Sequence, residues 1–284
     1  MAVRPEGTPC WADAMFLDLE AAKSFYAELL GWTFGEGQEE YGNYTQAYSD
    51  GKAVAALSPQ MPGMDSPAAW NLYFATPDAA ATAARIREYG GTLMMEPMEV
   101  GGFGTMVSAQ DPSGVFFSAW QAAAHEGFEK TGEPGAYAWV DVHTRDARKA
   151  DSFFPSVFPF EVQRMDVEDA EDMDFHLWSI GGDPVAGRQK TEEDASDGLP
   201  PFANVYFAVS DCDTAVTTAV KLGGRLLSDP MDSPFGRSAT VADPQGAVFS
   251  VIDYTVTDPP LKLLRRFIPP LRLGGVALDL SFFV

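Results

Sequence analysis

The stretch DPSGVFFS at 111–118 returns as DPQGAVFS at 243–250, 132 residues later. In both copies Asp-Pro-x-Gly reads as a turn, because Pro presets φ and Gly accepts backbone angles that other residues avoid. The apolar run that follows reads as a strand. The match does not stand alone. NLYFATPD at 71–78 pairs with NVYFAVSD at 204–211, and Gly90-Gly91 pairs with Gly223-Gly224, both at an offset of 133. Trp11-Ala12-Asp13 pairs with Trp139-Val140-Asp141, and Asp18 with Ser24-Phe25 pairs with Asp146 with Ser152-Phe153, at an offset of 128. Islands in the same order at a nearly constant offset mean that the chain is a tandem duplication.

The matches bound a first module at 8–122 and a second at 135–253. The polar, Gly-containing stretch 123–134 reads as a linker. Residues 254–284 match neither module and read as a tail outside the fold; two Pro-Pro pairs forbid a long helix through it. Within each module one unit occurs twice. A strand leads to a helix-capping Asp, a helix with apolar residues at helical spacing, a Gly stop, and then about three strands. Asp18 and Asp78 sit where the first module's helix caps belong, with Gly31 and Gly90-Gly91 as stops. The fold class expected is α+β, with two tandem modules.

The chain has 284 residues and carries 41 acidic against 19 basic side chains, a net charge of −22. Such a balance repels phosphate backbones and anionic lipid, so no nucleic-acid partner is expected. Two cysteines, Cys10 and Cys212, do not make a disulfide framework. The first residues lack a signal-peptide core, and no apolar run is long enough to span a membrane. A cytoplasmic monomer or homodimer is expected.

The repeated strand–Asp–helix–Gly-Gly unit and the Asp-Pro-x-Gly turn before the last strand resemble the vicinal oxygen chelate superfamily. That family includes glyoxalase I, bleomycin- and fosfomycin-resistance proteins and extradiol dioxygenases. The Trp-x-Asp opening of both modules is similar to two-module actinobacterial glyoxalase-like proteins. The resemblance implies paired βαβββ units whose curved, open sheet forms a cup around a ligand. It also implies where metal ligands would stand in each module: seven residues before each capping Asp and seven after the Asp of the turn. Those positions hold Trp11, Asn71 and Ser118 in module one, and Trp139, Asn204 and Ser250 in module two. Indole N–H only donates, and Asn and Ser are weak ligands without a carboxylate beside them. No metal and no cofactor are therefore expected.

In a strand, residues i and i+2 share a face. Trp11, Asp13 and Met15 thus point one way, as do Trp139, Asp141 and His143. With Asn71, Tyr73, Phe116, Ser118 and Trp120 in module one, and Asn204, Tyr206, Val248 and Ser250 in module two, they give each cup an aromatic wall with polar fixtures. The wall residues Trp11, Asn71, Tyr73, Ser118, Trp120, Trp139, Asn204 and Ser250 are expected to touch a small, aromatic or hydroxylated molecule. The alternative is a lyase, isomerase or hydroxylase-type enzyme on a carbonyl, epoxide or polyketide-like substrate. In it Asp13 or Asp141 is the base and Tyr73 or Tyr206 donates to an oxyanion, with His143 favouring module two as the active half. A metal-dependent dioxygenase is not expected. Imidazole chemistry puts the pH dependence of module two near the ordinary histidine value of about 6.5.

Overall fold

The structure is a computed structural model that describes residues 4–61, 63, 67–165, 174–191, 200–233, 235–256, 272–273 and 276–277. The first half of module one runs β1 (Pro9–Phe16), α1 (Leu19–Leu30), β2 (Thr33–Phe34), β3 (Thr45–Ser49) and β4 (Lys52–Pro59). Its second half runs β5 (Trp70–Ala75), α2 (Ala79–Glu88), β6 (Thr92–Val100), β7 (Gly104–Gln110) and β8 (Phe116–Ala122). Module two repeats the order. Its first half is β9 (Tyr137–Thr144), α3 (Ala147–Val157), β10 (Glu161–Met165), β11 (Phe175–Ile180) and β12 (Asp183–Lys190). Its second half is β13 (Phe202–Ala208), α4 (Cys212–Lys221), β14 (Arg225–Ser233), β15 (Gly236–Ala242) and β16 (Val248–Asp253).

All four helices begin in the same way. Asp18, Asp78, Asp146 and Asp211 each accept an N–H three residues on, from Ala21, Ala81, Lys149 and Thr214. Such a cap contributes about 0.5–2 kcal/mol. Gly31 ends α1 at φ 71°, a left-handed cap in which its N–H donates to the Ala27 carbonyl. The apolar stripe of α1 (Ala22, Phe25, Tyr26 and Leu30) is buried.

Each module is one open, mixed, eight-stranded sheet, in the order β2-β3-β4-β1-β5-β8-β7-β6 and β10-β11-β12-β9-β13-β16-β15-β14. The two halves meet where the first strands pair antiparallel, β1 with β5 and β9 with β13. The outer strands β6 and β14 carry Pro97 and Pro230 beside register shifts. A proline that cannot donate, with a bulge, blunts an edge against pairing with another chain.

The modules pack helix side to helix side, α1 against α4 and α2 against α3. Exchanging the modules maps each contact onto the other. The aromatic core follows the same rule. Phe25 and Tyr26 of α1 pack on Phe249, and the equivalent Phe153 and Phe154 of α3 pack on Phe117. Each first-half helix therefore covers the second half of the other module. The two Asp-Pro-x-Gly turns sit at the edges of this interface. Asp111 accepts the N–H groups of Ser113 and Val115, and Asp243 those of Gln245 and Ala247. Each aspartate then takes a hydroxyl, but from different sources. Ser113 serves Asp111 within its own turn, whereas Tyr26 reaches Asp243 across the interface at 2.9 Å.

The segment expected as a linker is docked on module one. Phe128 N–H donates to the Cys10 carbonyl and Glu129 N–H to the Ala53 carbonyl, both at 2.8 Å. The buried Lys130 ammonium donates to Ser49, Asp50 and the Pro134 carbonyl. Of the segment 254–284, Tyr254–Val256 forms a 3-10 turn, and Arg272–Leu273 pairs with Val276–Ala277; the rest lies outside the described residues. Among the described residues no helix is long and apolar enough to cross a membrane.

Candidate functional site

In module one the predicted fixtures come together and satisfy one another. Asp13 faces Asn71, and Trp11 faces Tyr73, across the β1–β5 pair. One oxygen of Asp13 accepts from the Tyr73 hydroxyl at 2.8 Å and the Tyr44 hydroxyl at 3.1 Å. The other accepts from the Asn71 amide at 3.2 Å. Trp11 Nε1 donates to the Tyr44 hydroxyl at 2.7 Å, and the Ser118 hydroxyl donates to Asn71 Oδ1. Above this network the linker fills the cup. The His125 ring stands edge-on to Trp11 at 4.4 Å, Phe128 lies 5.5 Å from Trp11, and Trp120 Nε1 donates to the His125 carbonyl. Trp11, Tyr73, Ser118 and Trp120 are buried against protein.

Module two holds a cavity of about 380 Å³ at the corresponding place. Trp139, Asp141, His143 and Tyr206 line it, as expected, together with Phe175 and Ile252. Strand register explains the difference. Asp13 is paired with Ala56 and Asp141 with Gly187, so β4 and β12 align. Gln46 pairs with Ala56 and Leu177 with Gly187, which aligns Tyr44 with Phe175. Ser118 and Ser250 both match the tyrosine of the preceding strand, so Trp120 aligns with Ile252. Module two thus has Phe for Tyr, Ile for Trp and Gly for Ala around its carboxylate. A Cβ on Gly187 would stand 2.2 Å from Asp141 Oδ1 and 2.5 Å from Phe175 Cζ, so only glycine leaves the carboxylate and the ring where they are.

Losing the Tyr44 hydroxyl rewires the acid. Trp139 Nε1 donates directly to Asp141 Oδ1 at 2.8 Å, and the Tyr206 hydroxyl donates to the same carboxylate. Asn204 does not reach it; its amide donates to the Ser250 hydroxyl at 2.8 Å, and Ser250 also bonds Thr240. Asn204 and Ser250 therefore lie beneath the lining, where sequence alternation had put them at the surface of the cup. Val248 is likewise replaced at the lining by Ile252, four residues further along the same strand face.

Burial sets the charge states. Asp141 is pushed up to about 6 by desolvation, held back by its Trp139 and Tyr206 donors. Asp13 is pushed up to about 6 for the same reason, against three donors. His143 is driven the other way, to about 4, by desolvation. Its imidazole is therefore neutral at neutral pH, and the titration near 6 belongs to Asp141. His143 stacks on Phe202 at 5.0 Å, and its Nε2 is buried without a hydrogen-bond partner. The third histidine, His176, sits with Asp151 and Arg188 on the other face of the sheet.

Several lining groups escaped the sequence reading. Phe175 and Leu177 come from β11, Asp229 and Met231 from β14, and Tyr254 from the segment assigned to the tail. The strand β14 lies at the edge of the sheet, and its Asp229 and Met231 nevertheless reach the cavity. The Tyr44–Phe175 correspondence was accessible in principle, at an offset of 131 within the repeat, but neither neighbourhood contains an identical run of residues.

Trp139, Asn204 and Ser250 at the family's ligand positions do not fit a divalent cation. The indole N–H points at Asp141 as a donor, and the Asn204 amide is spent on Ser250. Trp11, Asn71 and Ser118 are similarly committed to partners in module one. Among the described residues no three His, Cys, Asp or Glu side chains come together as a metal-binding group.

The sheet order, the repeated units and the cup have counterparts among known proteins. The profile of the glyoxalase/bleomycin resistance protein/dioxygenase superfamily matches residues 15–119, and that of a glyoxalase-like domain matches 138–252. The anthracycline biosynthesis protein DnrV of Streptomyces peucetius is 39% identical over 261 residues, covering 87% of this chain and 93% of its own. The glyoxylase-like CFP32 of Mycobacterium bovis is 34% identical over 252 residues, covering 87% and 95%. The Mn(II)-bound glyoxalase of Novosphingobium aromaticivorans superposes with a TM-score of 0.60 at 17% identity, over 90% of this chain and 86% of that one. The 2,3-dioxygenase LapB of Pseudomonas sp. KL28 gives 0.60 at 14% identity, over 91% and 97%. With both modules matched by sequence and the whole architecture matched in space, the chain belongs to the glyoxalase/bleomycin resistance protein/dioxygenase superfamily.

Proposed function

We propose that the chain binds a small, planar aromatic or hydroxylated molecule in the cup of module two, without the metal that the superfamily's ligand positions hold elsewhere. The observation that carries this reading is the cavity of about 380 Å³ around Asp141, walled by Trp139, Phe175 and Tyr206. That size and that mixture of apolar wall and few polar groups are those of small-molecule sites. Two relatives are anthracycline biosynthesis proteins, which favours a polycyclic aromatic ligand for this chain as well. Module one serves as the scaffold that completes the fold.

A second reading has one observation in its favour. Asp141 is a buried carboxylate held near 6, bonded to the Tyr206 hydroxyl and facing the cavity. A base of that kind beside a donor suits proton transfer on a carbonyl compound. The test of the first reading is calorimetric titration with a hydroxylated anthraquinone, with and without zinc, manganese or chelator. Binding near one equivalent, unmoved by metal or chelator, supports it. Affinity that appears only with metal, or no uptake at all, refutes it. Consumption of the compound, lost in Asp141→Asn, transfers the case to the second reading.

A further inference from the structure

Among the described residues, the cavity of module two is lined by acids and by no lysine or arginine. Asp141 stands on its floor and Asp229 at its rim. Arg188 follows Gly187 on β12 and points away, where both arms of its guanidinium bind Asp151 at 2.8 Å and its third nitrogen binds Asp174. His143 adds no charge, being buried and neutral, and its Nε2 lacks a partner. Around these acceptors stand the rings of Trp139, Phe175, Tyr206 and Phe235. The chain as a whole carries −22.

Carboxylate, phosphate and phosphonate ligands would bring a negative charge into a largely apolar cup beside two carboxylates, at a high desolvation cost. A hydroxyl brings a donor to Asp141 but no charge to offset the carboxylate. An ammonium brings up to three donors and the opposite charge, and aromatic rings attract a cation through their faces.

On these grounds we infer that the ligand of module two is an organic amine: a planar aromatic body bearing a protonated amino group, with Asp141 as its counter-ion. The inference rests on module two being a ligand site. Asp229 draws the amine toward the mouth, and the rings hold the planar body. Binding follows the ionisation of Asp141. The titratable groups facing it are His143 on its own strand, Tyr206 from β13, Asp229 from β14, and Tyr254 and Tyr137 at the ends of the module; β11, β12 and β15 present uncharged side chains to the cavity. As pH falls below about 6 the carboxyl is neutralised, and amine affinity drops by about tenfold per unit.

The experiment is calorimetric titration of the full chain with three matched anthracenes, bearing an aminomethyl, a hydroxymethyl or a carboxylate group, at pH 5 and pH 8. The amine is expected to bind tightest at pH 8, the alcohol at least tenfold weaker, and the carboxylate not at all. Only the amine should weaken at pH 5. Asp141→Asn should cost the amine at least tenfold and remove its pH dependence, with an unchanged near-ultraviolet circular dichroism spectrum showing the fold intact. Asp229→Asn, at the exposed rim, should cost the amine two- to threefold. A carboxylate that binds as well as the amine overturns the inference, and so does amine affinity that is flat in pH. Alcohol binding with no preference for the amine overturns it while leaving the ligand-site reading in place. Failure of all three compounds to bind overturns both.

Discussion

The two modules begin from the same Trp-x-Asp strand and end in different places. In module one the carboxylate is surrounded by three donors, capped by Tyr44 and roofed by Trp120, His125 and Phe128. In module two the same carboxylate has two donors and faces a cavity. The difference is carried by the removal of a hydroxyl, an indole and a methyl at positions 175, 252 and 187. The superfamily's cup can thus be closed with ordinary core side chains, and a site persists where those side chains are trimmed.

The strongest way to break this comparison is to exchange the roofs. Ile252→Trp should fill the module two cavity and weaken ligand binding by at least a hundredfold in titration. The overpacking itself costs about 1–3 kcal/mol of stability. Trp120→Ile should destabilise module one by roughly 3 kcal/mol, as large-to-small core changes do, and leave affinity unchanged. If the two variants bind alike, the site is not in module two.

The buried acids make a second test. Asp13 and Asp141 are both raised to about 6, above their unfolded value. Between about pH 4 and 6 the native state therefore holds more protons than the unfolded chain at these groups. Their contribution to stability is fully present below pH 4 and is lost as pH rises through 6. Two units at one site correspond to roughly 3 kcal/mol at most. Denaturant melts at pH 4.5 and pH 7 should therefore show Asp141→Asn gaining on the wild type as pH rises. Asp13→Asn should gain less, because its amide must face three donors. Parallel pH profiles for wild type and Asp141→Asn would show that Asp141 is not desolvated.

The smallest effect sharpens the assignment. Phe175→Tyr should restore the module one hydroxyl, give Asp141 a third donor and lower its midpoint by less than one unit, read by carboxyl titration in NMR. An unchanged midpoint would mean that the hydroxyl cannot reach the acid.

Much of this was written in the chain in a readable form. The repeat, the four capping aspartates and the placing of Asp13 and Tyr73 in one cup follow from periods and turn residues, which are local rules. The state of each cup is not local. Trp120 reads the same whether it walls a pocket or plugs one; what decides is His125, whose 123–134 segment reads only as a linker and is pinned by Lys130 and by the Cys10 carbonyl. Likewise Asn204 and Ser250 stand at ligand positions by spacing, and only packing turns them toward one another. The missing partner of His143 Nε2 is a property of its surroundings, which no strand pattern encodes.

The crossed interface, in which α1 covers module two and α3 covers module one, has the geometry of a two-fold homodimer written into a single polypeptide. In a homodimer every substitution appears twice, so a residue that closes one cup closes both. A covalent join removes that constraint while keeping the contacts. Tyr26 shows the freedom gained: its hydroxyl serves Asp243, while its counterpart Phe154 has none and Ser113 answers for Asp111. Once the halves can change separately, one can spend its cup on stability while the other keeps its own for chemistry.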